Sequence, residues 1–177
     1  YKYINMNIKN TINSYGIVAK ILHWLIAISI IFMLFLGFFM SGRTLYTVHK
    51  SLGITILIIM ILRALWKLTN SIPKLPKNTP KWQKVASDLT HLSLYLLAFI
   101  LPFSGWVMST ASNHAPNFWW WFKWPLTGIS ANGKLAHFAH DLHGILAWVI
   151  IGFICLHILA ALKHHFINKD DVLKRML

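Results

Sequence analysis

Residues 143–157, HGILAWVIIGFICLH, place a histidine at each end of an otherwise apolar run. In an α-helix, fourteen residues at about 100° each fall roughly 40° short of four turns, so both imidazoles point the same way, about 21 Å apart along the axis. Two like groups on one helical face, at two depths, imply two similar sites stacked across a layer about as thick as a bilayer. Imidazole is a common metal ligand, and an ionisable side chain inside a membrane reads as functional by default. The chain has ten histidines. Five of them, His114, His137, His140, His164 and His165, sit in loops or at the ends of apolar runs and read as interfacial. His23, His49, His91, His143 and His157 sit in or at the edges of the apolar runs themselves.

The elements that must position these rings are transmembrane helices. Of 177 residues, 56% are hydrophobic and 12% charged, and four long stretches lack charge almost entirely. Each supplies about the twenty apolar residues needed to cross the hydrocarbon. The pattern predicts helices over about 17–41, 45–67, 84–111 and 134–165, a single four-helix domain over 16–177 behind a polar, Asn-rich lead at 1–15, which is expected to be frayed. The 22 uncharged residues between Lys20 and Arg43 exceed a signal-peptide core, and no small-residue cleavage motif follows, so they read as a retained helix. Pro102 inside the third helix is expected to kink it. With both termini inside, 13 basic residues fall on the cytoplasmic side, Lys2 and Lys77 among them, and only Arg43, Lys50, Lys123 and Lys134 on the far side. That bias sets the orientation and makes nucleic acid a poor partner for the net charge of +13. The one cysteine, Cys155, permits no intrachain disulfide or thioether attachment and reads as packing. The outer segment with four tryptophans in residues 119–124 reads as an aromatic shelf along the interface, with a quinone or partner platform as its functional alternative.

Matching depths yields two pairs: His23 with His157 toward the inner side, and His49 with His143 toward the outer. Zinc needs three or four protein ligands, and the carboxylates or thiolates that would complete such a set are missing from the apolar runs. Haem brings four equatorial nitrogens and asks for only one or two axial ligands, which suits two histidines on facing helices. Gly53, one turn from His49, and Gly144, next to His143, would leave room for a flat macrocycle.

The segments ILHWL, VHKSLG and THLSLYLL, together with the H-x13-H of the fourth helix and the KHHF that follows it, resemble the bacterial cytochrome b-561 family across about residues 16–175. The resemblance implies an all-α membrane protein, an up-and-down bundle of four transmembrane helices holding two b haems, in the bacterial inner membrane with both termini cytoplasmic. It carries the axial-ligand role to His23, His49, His143 and His157. It also implies oxidation of superoxide at the periplasmic face and reduction of ubiquinone. The polar lead and the tryptophan-rich loop depart from the family pattern.

Two histidines on each iron leave no open coordination position, which favours outer-sphere electron transfer over oxygenase or peroxidase chemistry. No catalytic side chain stands out. Arg43, Lys50, Lys123 and Lys134 face only Asp141 on the outer side and are candidates for steering a small anion; Arg43 and Lys50 are equally candidates for pairing with haem propionates. His91 has no level-matched partner and reads as a structural hydrogen bond or a contact to a quinone carbonyl or a propionate. The expected partners are the lipid bilayer, a quinone and superoxide or another small donor, with no obligate protein partner. The alternative is a cytochrome b subunit that passes electrons from a dehydrogenase or hydrogenase to quinone. A metal-ion carrier using the histidines as a relay is a third class, which predicts a colourless protein.

Overall fold

A backbone in hydrocarbon must satisfy its own N–H and C=O groups, so runs this apolar have to be helical. The computed structural model describes residues 7–76 and 79–177; Lys2, Lys77 and the first six residues of the lead lie outside the described residues. It contains α1 (Ile17–Phe39), α2 (Gly42–Leu68), α3 (Lys81–Ala111), a two-stranded hairpin of β1 (Asn117–Phe118) and β2 (Phe122–Lys123), and α4 (Gly133–Phe166). All four helices are long and apolar enough to cross a membrane. Only Met40 and Ser41 separate α1 from α2. Helix α3 starts directly after Pro80 and runs unbroken through Pro102. Helix α4 is capped by Asn132, whose side-chain oxygen accepts from the Leu135 N–H at 3.1 Å.

Neighbouring helices pack in chain order, α1 on α2, α2 on α3 and α3 on α4. Helix association in lipid depends on close packing, because lipid tails are as apolar as leucine. The core joins Ile26 of α1, Ile56 and Met60 of α2, Leu97 and Ala98 of α3 and Ile150 of α4. Within the apolar stretches α2 is the most covered helix, whereas α4 buries only Ala139 and Ile150. Helix α4 meets α1 and α2 through side chains, as where Phe38 and Trp148 pack with ring centroids 5.2 Å apart.

Four expectations change. The described part of the lead is tied down rather than frayed. Asn7 O accepts from Ile17 N at 3.0 Å, Asn10 Oδ1 from Gly16 N at 2.9 Å, and Asn10 Nδ2 donates to Ser71 O at 2.9 Å. Gly16 is required where the lead doubles back, since a Cβ there would lie 2.4 Å from Ile8 O. The C-terminal segment joins the same layer: Arg175 Nη1 donates to Lys74 O at 2.5 Å, Trp24 Nε1 to Met176 O at 2.9 Å, and Lys20 Nζ to Leu177 O. His164 and His165 therefore belong to a folded cap and not to an open interface. His164 Nδ1 lies 2.5 Å from Asp170 Oδ2 in a largely covered pair.

The tryptophan-rich loop is not a shelf. It folds back as a hairpin over the outer ends of α2 and α3, because Ser51, fully buried, takes the Trp119 N–H at 2.8 Å and Thr55 takes its indole N–H at 3.2 Å. Trp120 and Trp121 stay exposed at its tip. Cys155 is exposed on α4, so it does not pack inside the bundle.

Candidate functional site

At the end of the bundle opposite the chain termini, the outer end in the expected orientation, His49 of α2 and His143 of α4 face each other with ring centroids 6.2 Å apart and planes at 69°. At the inner end, His23 of α1 and His157 of α4 repeat the arrangement at 6.2 Å and 65°. A first-row metal bonds imidazole nitrogen at about 2.0–2.1 Å, and the ring centre lies about 1.1 Å behind that nitrogen, so two rings on opposite sides of one ion sit about 6.2–6.4 Å apart. Both pairs have that separation. Among the described residues no cluster of three or more His, Cys, Asp or Glu is placed to hold a metal ion, so these pairs suit an ion that brings its own equatorial ligands.

Hydrogen bonding selects the binding nitrogen in His143. Its Nδ1 lies 3.0 Å from the Leu101 carbonyl, which can only accept, so Nδ1 carries the proton and Nε2 keeps its lone pair. Ser104 Oγ is also 3.0 Å from that Nδ1. Room for the ring comes from Gly105: a Cβ there would lie 3.0 Å from His143 Cε1 and 3.2 Å from Nδ1. Gly37 of α1 plays a similar part for His49, where a Cβ would meet Cε1 at 3.4 Å. A Cβ on Gly53 would make only ordinary contacts, 3.6 Å to Met33 and 4.0 Å to Pro102, and one on Gly144 would meet nothing within 4 Å. The glycines beside the rings are thus Gly37 and Gly105, on helices other than the ones expected.

The inner pair has a third imidazole. The His91 ring lies 5.3 Å from that of His157, too close for the two to share one ion in the manner of the 6.2 Å pairs. Its Nδ1 donates to Ser87 O at 2.8 Å, which leaves Nε2 as an acceptor. One turn further along α3, Tyr95 OH accepts from Arg63 Nε at 3.0 Å, and Lys67 Nζ stands 4.4 Å from the Tyr95 ring centre. Arg63 Nη1 and Trp66 Nε1 are buried with no partner among the described residues. Tyr15 comes up from the lead beside Arg63, Tyr95 and Arg175, and burial pushes its hydroxyl above the usual tyrosine range despite the two guanidinium groups.

On the outer side Lys50 Nζ donates to His114 O at 2.8 Å, which turns it toward the loop. Arg43, Lys123 and Lys134 are exposed, and so is Asp141, 3.3 Å from His140 Nδ1. Sequence reasoning missed Arg63, Tyr95 and Ser104. Arg63 carried a signal, a cation inside an apolar stretch, which was absorbed into the charge bias. Ser104 and Gly105 carried none, because only the packing of α3 on α4 sets them against His143.

The model of the prokaryotic cytochrome b561 family matches residues 14–177. The chain belongs to that family. Cytochrome b561 homolog 2 of Escherichia coli K12 is 39% identical over 97% of this chain and 95% of its own length, and cytochrome b561 homolog 1 of the same organism is 30% identical over 88% and 92%. A protein of Yersinia pestis named probable superoxide oxidase CybB is 34% identical over 73% of each chain. Family membership makes this a multi-pass protein of the bacterial inner membrane that works in electron transfer with b-type haem.

Proposed function

We propose that the chain carries electrons across the inner membrane through two bis-histidine b haems, oxidising superoxide at the periplasmic face and reducing ubiquinone, with both termini in the cytoplasm. The observation that carries this is the repetition of one 6.2 Å histidine pair at both ends of a single face of α4. His49 and His143 would hold the outer haem, His23 and His157 the inner one, and the haems supply one-electron chemistry when bound. Two superoxide ions each give up one electron and leave as dioxygen; ubiquinone takes both electrons and two protons and leaves as ubiquinol.

The chain's own part is to hold, orient and attract. With one histidine from each of two helices on it, each haem would have no free position for dioxygen, which would keep the chemistry outer-sphere. Exposed Arg43, Lys123 and Lys134 give the outer face a positive field that raises the encounter rate of a small anion. The superoxide reading draws support from the name of the Yersinia pestis relative.

The test is haem counting with a reduced-minus-oxidised spectrum of the purified chain, followed by superoxide-driven quinone reduction. Two b haems per chain and quinol formation by the lone protein are expected. Obligate co-purification with a dehydrogenase and no reaction with superoxide would favour the electron-transfer-subunit alternative.

A further inference from the structure

The two ligands proposed for the outer haem have unequal surroundings. His49 Nδ1 is buried with no hydrogen-bond partner among the described residues. His143 Nδ1 has two, the Leu101 carbonyl and Ser104 Oγ, each at 3.0 Å. These close a triangle, because Ser104 Oγ donates to Leu101 O at 2.7 Å. With its proton committed to that carbonyl, the serine oxygen turns a lone pair toward the ring N–H, and the N–H is shared between two acceptors. Ser104 is 5% exposed, so water does not compete for these bonds. Gly105 gives the ring room to lie there, since a Cβ would stand 3.0 Å from its Cε1 and 3.2 Å from its Nδ1 and the ring would have to give by a few tenths of an ångström.

We infer that Ser104 is a positioning residue that acts through His143 to lower the reduction potential of the outer haem. The inference rests on His143 being an axial ligand, as proposed above. A metal-bound imidazole whose other N–H is held by good acceptors is fixed in tautomer and orientation, and its ligating nitrogen becomes more basic. A more basic ligand favours ferric over ferrous iron. The Leu101 carbonyl sets the direction of the bond and Ser104 completes it. No side-chain hydrogen bond of this kind reaches His23 or His157 among the described residues, so the device belongs to the outer site alone.

The experiment is potentiometric titration of the purified holoprotein and of Ser104→Ala and Ser104→Thr, with haem stoichiometry and low-temperature electron paramagnetic resonance of the ferric state. The outer signal is identified as the one that His143→Ala removes. Ser104→Ala is expected to keep two haems and to change the outer ferric-to-ferrous preference about tenfold, an upward shift of about 59 mV for one electron, with the inner midpoint unmoved. Ser104→Thr, which retains the hydroxyl, is expected to keep the native midpoint and ferric spectrum. Loss of the outer haem from the alanine variant, with native behaviour of the threonine variant, supports the same role. Unchanged midpoints in the alanine variant, or a threonine variant displaced as far as the alanine one, overturn it. A wild-type chain with fewer than two haems instead refutes the two-haem reading and is recognised before any variant is made.

Discussion

The outer and inner histidine pairs share one ring separation, 6.2 Å, but are surrounded by opposite chemistry. Around the outer pair the contacts are neutral: a backbone carbonyl, a buried serine and glycines that let the rings approach. Its nearest cation, Lys50, leans away to the His114 carbonyl. The inner pair sits beside His91 and next to the Arg63, Lys67 and Tyr95 cluster. A half-buried cation such as Arg63 favours the reduced form of a nearby haem, and hydrogen-bonded ligands favour the oxidised form. The two surroundings therefore push the proposed potentials apart in the sense that drives electrons from the outer face inward. Equal pairing would supply two similar sites; unequal surroundings would supply a direction.

The largest effects should come from removing one member of each pair. His143→Ala is expected to lose the outer haem and keep most of the inner one, and His23→Ala the reverse, read by pyridine haemochrome content against protein. Two full haem equivalents in either variant would break the comparison, since the pairs would then not be the ligand sets.

Next in size is the charge at the inner end. Arg63→Gln should lower the inner midpoint by about 1.4 kcal/mol, or about 59 mV for one electron, the scale of one charge about 12 Å away at an effective dielectric near 20. The outer midpoint should stay put. An equal shift in both midpoints would mean that Arg63 acts on the bundle as a whole.

Smaller still is steering at the outer face. Charge reversal at Lys123 and Lys134 together should slow reaction with superoxide a few-fold at low ionic strength, and the difference should shrink at high salt. Stopped-flow rates at two salt concentrations decide this, and equal rates at low salt would remove these lysines from the account.

The smallest effect concerns the inner cap. Burial raises the Tyr15 hydroxyl above its ordinary value of 10.0. A group with a raised folded value contributes its stability below the unfolded value and loses it as pH rises through the folded one. The lead should loosen above about pH 10, seen as faster proteolysis near residue 16, and Tyr15→Phe should remove much of that alkaline step.

Apolar runs of spanning length and two histidines fourteen residues apart on α4 were legible in the residues alone, because helical periodicity and the hydrocarbon's thickness leave few alternatives. The depth of each ring followed from the same arithmetic. What no local pattern contained was the environment of each ring. Whether Nδ1 of a histidine meets a carbonyl or nothing depends on which residue of another helix lies across from it. Ser104, Gly105 and Gly37 are ordinary bundle residues until α3 and α1 are set against their neighbours. The folded lead, the C-terminal cap and the turned-back hairpin escaped for a related reason, since each is also anchored by a hydrogen bond to a segment 61 or more residues away. Sequence determined what the four helices are and at what depth their histidines lie; the packing of one helix on another decided how each imidazole is held, because hydrogen bonds and steric room are properties of neighbours in space.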